Sequence, residues 1–106
     1  MKYFKNKWGK MREINVNEID KIKDPYIIDV REESELIETG TIKGAVHIPM
    51  MTVPNNLNKI PKDREVYILC RSGRRSYEVA SYLSELGYDV INLAGGILEY
   101  KGKLYK

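Results

Sequence analysis

Two stretches of this chain, Tyr26-Ile27-Ile28-Asp29-Val30 and Val66-Tyr67-Ile68-Leu69-Cys70, are apolar without the alternation that a strand with one wet face would show. Apart from Asp29 they carry the β-branched, aromatic and aliphatic residues of strands covered on both faces, and such strands belong to sheets wrapped by helices. From Met11 onward, short β-rich runs alternate with short helical patterns. That order predicts an α/β fold, a single wound domain with a mainly parallel central sheet and helices on both faces. Asn15 and Glu18 make a capping-box-like start for a short helix over Val16, Ile19 and Ile22, closed by Asp24 and Pro25. Arg31 to Glu38 reads as a short acidic helix stopped by Gly40, and residues 44–49 as a short strand. A loosely helical segment to Leu57 and a break at Pro61 follow. From Ser76, Val79, Ala80, Leu83 and Leu86 share one helical face, with Gly87 as the stop. Asp89 to Leu93 is the last strand, and Gly95-Gly96 turns the chain into a final helical piece carrying Ile97 and Tyr100.

With 106 residues the chain has room for one domain, and 42% apolar residues suffice for a packed core without staples. Cys70 is the only cysteine and His47 the only histidine, which excludes an internal disulfide and a four-ligand Cys/His zinc site. A lone thiol suits a reducing compartment. The net charge of +3 is too small to argue for nucleic acid. Lys2, Lys5, Lys7, Lys10 and Arg12 stand together without an acid, so residues 1–10 read as a basic extension to a domain over 11–106. Its aromatic cluster, Tyr3, Phe4 and Trp8, leaves two readings open, a docked segment or a frayed tail. No apolar core of a leader follows the basic start, and no run of about 18 apolar residues occurs. The expectation is a cytoplasmic, soluble monomer with neither a membrane nor a nucleic acid as partner.

The chemistry is expected in Cys70-Arg71-Ser72-Gly73-Arg74-Arg75-Ser76, which joins the C-terminal end of a buried strand to a helix N-terminus, where ligands bind in wound sheets. A helix start offers unpaired N–H groups and the positive end of the macrodipole, so a Cys70 thiolate would be stabilised there. The dipole contributes about 0.3 to 1 kcal/mol, up to roughly 2 when partly buried, against about 1.4 kcal/mol per pKa unit. A shift beyond one unit needs the arginines or several converging N–H groups, which Gly73 would permit in a tight loop. A bland alternative makes Cys70 a small buried hydrophobe at a strand end. Three arginines within five residues argue against it, since cations at a helix start cost stability unless an anion is bound.

The loop, together with residues 28–32, 40–49 and 92–97 leading to Tyr100, resembles a single-domain rhodanese, a member of the rhodanese-like family of sulfurtransferases. The resemblance covers about residues 12 to 102. It implies a parallel sheet and a cysteine that takes a sulfane sulfur as a persulfide and passes it to a second acceptor, with no metal or organic cofactor. Cys70 matches that nucleophile. Arg71 and Arg75 match positions that often hold an anionic donor such as thiosulfate, a polysulfide or a persulfide, within a donor-binding loop of Arg71, Ser72, Gly73, Arg74, Arg75 and Ser76. The acceptor would be a thiol, on a small molecule or a partner protein, or cyanide. The family often has histidine where Thr41 stands and tryptophan where Tyr100 stands, and both positions read as structural.

Asp29 inside an apolar strand needs a partner, which Arg31 or backbone N–H groups near the loop could supply. Both residues read as support around the loop. His47 reads as a satisfied or surface histidine. Gly95-Gly96, lacking the remaining glycine of a dinucleotide fingerprint, reads as a turn. Two alternatives stay in view. A cysteine phosphatase or arsenate reductase needs five residues between cysteine and arginine, whereas four separate Cys70 from Arg75. It would also need an acid for the leaving group, with Asp29 or Asp89 as candidates. A non-catalytic binding module of the same fold would have less use for the cysteine and its arginines.

Overall fold

The computed structural model describes the backbone of residues 2–6 and 9–106, with side chains from Met11 onward. The strands are β1 (Lys2–Asn6), β2 (Gly9–Asn15), β3 (Tyr26–Asp29), β4 (Val46–His47), β5 (Val66–Leu69) and β6 (Val90–Ala94). They form one sheet in the order β1-β2-β6-β5-β3-β4. Every pairing is parallel except that of β1 with β2. The helices are α1 (Glu33–Thr39), α2 (Arg74–Glu85) and α3 (Gly96–Glu99), with 3-10 segments over Val16–Lys21, Met50–Asn55 and Leu57–Lys59. Among the described residues no helix is long and apolar enough to cross a membrane.

The continuous apolar strands divide two cores by their side-chain alternation. Val66, Ile68 and Cys70 point to the side covered by α2, where Val79, Ala80 and Leu83 meet them. Tyr67 and Leu69 point to the opposite side, against Val16, Ile19 and Ile97 of the first 3-10 segment and α3. β5 lies between β6 and β3, so its C-terminal end, with the cysteine, opens at the middle of the sheet.

Several boundaries differ from the sequence expectation for local reasons. Lys2–Asn6, inside the basic extension, forms an edge strand that runs in register from Lys2 opposite Glu13 to Asn6 opposite Gly9. Trp8 and the side chains of Tyr3 and Phe4 lie outside the described residues. The first helical segment is 3-10 rather than α: Asn15 accepts from Asn17 N at 2.9 Å, while Glu18 pairs with Lys21 instead of completing a capping box. Arg31 stays outside α1 because its side chain is committed to Asp29, and the capping box of Glu32 with Glu35 starts the helix two residues later, at Glu33. α2 starts at Arg74 rather than Ser76, since Gly73, at φ 97°, adopts the left-handed turn that launches the helix.

Candidate active site

Cys70 follows the last residue of β5 and has no exposed surface. Burial alone would raise its pKa. Its sulfur, however, accepts the Gly73 N–H at 3.0 Å. Burial pushes the thiol up, but the Ser76 hydroxyl and the N–H groups of Ser76, Gly73 and Ser72 together outweigh it and hold the thiol below its ordinary value. Ser76 Oγ is buried and, among the described residues, has no hydrogen-bond partner that would compete for its proton, so the hydroxyl is available to the Cys70 sulfur, whose anion it favours. The N–H groups at the start of α2 have no preceding turn to bond to, which is why they are available here.

The N–H groups converge because the other side of the loop is tied down. Ile97 N donates to Cys70 O at 2.9 Å and Leu98 N to Arg71 O at 3.0 Å. In a trans peptide the C=O and the following N–H point in opposite directions, so fixing the Arg71 carbonyl on α3 aims the Ser72 N–H back towards the sulfur. This close approach requires glycine at position 96. A Cβ there would collide with the carbonyl oxygens of Cys70 and Arg71. The Gly95-Gly96 turn is therefore a buttress of the cysteine loop, a role that spacing alone did not reveal.

With this geometry in view, comparison with known proteins decides the family. Residues 13–103 match the Rhodanese-like domain. The chain belongs to the rhodanese-like family. It is 41% identical over 95 residues to a protein of Allochromatium vinosum named Sulfurtransferase, covering 80% of this chain and 88% of that one. Among solved structures, the rhodanese-like domain protein of Staphylococcus aureus superposes with a TM-score of 0.78 at 35% identity, covering 91% of this chain and all (100%) of that one. SSP1007 of Staphylococcus saprophyticus superposes at 0.82, also at 35% identity and with the same coverage of 91% and 100%.

In this rhodanese-like domain the loop arginines divide into two kinds. Arg71 and Arg74 are exposed, and their side chains have no hydrogen bond or ion pair among the described residues. Arg75 instead reaches α1, where its two terminal nitrogens donate to the two carboxylate oxygens of Glu35 at 2.7 and 2.8 Å. The Arg75 guanidinium holds Glu35 down at about 2, against the opposing pull of burial. Neither residue of this pair is visible as a partner from spacing, because 40 positions separate them.

Asp29 and Arg31 form a buried pair below the loop. Arg31 Nη2 donates to Asp29 Oδ2 at 2.9 Å and Nε to Oδ1 at 3.1 Å, with side chains 1% and 0% exposed. The remaining valences are filled: Arg31 Nη1 donates to Thr39 Oγ1, Nη2 to Gly40 O, and Thr41 Oγ1 to Asp29 Oδ2. Thr41 thus serves this buried network. His47 Nε2 sits 2.6 Å from Arg31 O, and Tyr100 donates to Asp20. Asn92, polar inside an apolar strand as Asp29 is, donates to Gly73 O at 3.1 Å and to Glu13 at 2.8 Å, tying the helix start to β6 and β2. Asn92 went unnoticed in the sequence; a polar residue inside an apolar strand is the signal that would have found it. Among the described residues no group of three His, Cys, Asp or Glu side chains is placed to hold a metal ion.

Proposed function

We propose that the protein is a rhodanese-type sulfurtransferase that carries a sulfane sulfur on Cys70. The observation that carries the reading is the thiol itself: the only cysteine stands at a helix start, ringed by N–H donors and a hydroxyl that favour its anion. Its relative in Allochromatium vinosum, named a sulfurtransferase, supports the same class of reaction.

In the first half-reaction the Cys70 thiolate attacks the outer sulfur of an anionic donor. With thiosulfate, the new S–S bond forms as the old one breaks, its electron pair leaves with sulfite, and Cys70 becomes a persulfide. The N–H groups of Ser72, Gly73 and Ser76 hold the negative terminal sulfur, while exposed Arg71 and Arg74 meet the remainder of the donor. In the second half-reaction an acceptor thiolate, or cyanide, attacks that terminal sulfur and returns the electron pair to Cys70. Because Cys70 has no exposed surface, a donor reaches its sulfur only after the loop around it gives way.

Intact mass after mixing with thiosulfate, without reductant, tests this. The expected species is one sulfur heavier, reverts on addition of cyanide with release of thiocyanate, and is absent in Cys70→Ser. Thiocyanate formation by the serine variant would refute the assignment.

A further inference from the structure

Sulfur transfer as described leaves one feature of the loop unused: a cation at the site is already neutralised. Arg75 spends both terminal nitrogens on Glu35. Glu35 is itself fixed from the other side, because its Oε1 also accepts the Glu32 N–H at 3.1 Å in the capping box of α1. The carboxylate cannot follow Arg75 if the guanidinium swings towards a ligand. Releasing Arg75 would strand a carboxylate whose side chain is only 25% exposed, beside a site that must bind anions.

We propose that Glu35 is a specificity-determining residue: by occupying Arg75 it withdraws one of three loop cations and so narrows the advantage that the cysteine loop gives dianions such as thiosulfate over singly charged sulfur donors. The proposal rests on the sulfurtransferase reading for its substrates, and on the Glu35–Arg75 geometry for its cause. Coulombic attraction scales with the charge on the donor, so one missing guanidinium weakens a dianion about twice as much as a monoanion.

The substitution Glu35→Gln keeps an acceptor for the Glu32 N–H and removes the charge. Alkylation of Cys70 by anionic iodoacetate and by neutral iodoacetamide, compared at one pH, reads the field at the sulfur without any sulfur transfer. The ratio of the two rates should rise about two- to fivefold in Glu35→Gln, the range that an exposed charge interaction commands. It should fall by a similar factor in Arg75→Gln and return close to the wild-type ratio in the double variant, which loses one charge of each sign. With thiosulfate as donor, Glu35→Gln should lower KM by at least the same factor, with the change falling on KM rather than kcat. A ratio that is unchanged or lower in Glu35→Gln overturns the proposal, as does a double variant displaced as far as either single one. Should the wild type transfer no sulfur from any donor, the functional reading falls, and the alkylation ratio still decides the role of Glu35.

Discussion

Cys70 is wholly buried and yet more acidic than a free thiol, and the groups around the sulfur reconcile the two. Burial opposes the anion; a hydroxyl and converging N–H groups favour it and win. Ser76→Ala removes the hydroxyl without opening a large cavity. A hydrogen bond to a charged group is worth roughly 1.5 to 3 kcal/mol and one pKa unit about 1.4 kcal/mol, so the midpoint of Cys70 alkylation by iodoacetamide should rise by about one unit or more. A midpoint that stays in place would mean that the N–H groups alone hold the thiolate. Asp29 matters for a different reason. Asp29→Asn leaves the Arg31 guanidinium buried without a counter-charge, which typically costs about 3 to 5 kcal/mol, so the denaturant midpoint should drop steeply. A loss below about 1 kcal/mol would show that Thr39, Gly40 and solvent can carry the cation unaided.

Between elements, the cysteine loop is clamped from two directions, by α3 on its carbonyls and by α1 through Glu35. Gly96→Ala tests the first clamp. Left-handed backbone costs a non-glycine residue about 1 to 2 kcal/mol, and the collision with the Cys70 and Arg71 carbonyls adds an overpacking cost of about 1 to 3 kcal/mol. The variant should therefore be less stable and also less acidic at Cys70, because the Ser72 N–H loses its aim. Lower stability with an unmoved alkylation midpoint would separate the clamp from the cradle. The second clamp has a pH signature. Glu35 is held at about 2 when folded against an ordinary value of 4.5, so its contribution is complete above pH 4.5 and is lost as the pH falls towards 2. Wild type should lose its advantage over Glu35→Gln across that window, measured by denaturant unfolding at several pH values. An advantage that persists unchanged at pH 2 would rule the pair out as its source.

At the scale of the whole molecule, β5 brings the thiol to the centre of the carboxyl edge of the sheet, while the N-terminal hairpin lies at the far side of the strand order. Among described side chains the buried core begins at Met11. We expect a chain starting at Gly9, which keeps β2 whole and lacks β1, to retain its cooperative unfolding and the lowered Cys70 midpoint. Loss of either would make the hairpin an integral part of the domain rather than an extension of it.

Two strands apolar but for Asp29 are enough to demand a sheet buried on both faces, and a glycine-broken, arginine-rich segment after the second is enough to single out a helix start as the candidate anion site. Those inferences are local: they rest on side-chain period and on which residues tolerate which backbone. The lowered thiol was legible as a location, with converging N–H groups as one of its two candidate causes, but what aims those groups was not. Its charge is favoured by N–H groups whose direction is set by hydrogen bonds from Ile97 and Leu98, some 27 residues further along the chain. Asp29 announced itself by interrupting an apolar strand, with Arg31 among its candidate partners, and the fold selects Arg31; Asn92 drew no such reading, and only the fold shows that it holds the helix start. The pairing of Arg75 with Glu35 left no such trace. A charge has no period, and whether it faces a ligand or a carboxylate is decided by which helix the fold packs beside it.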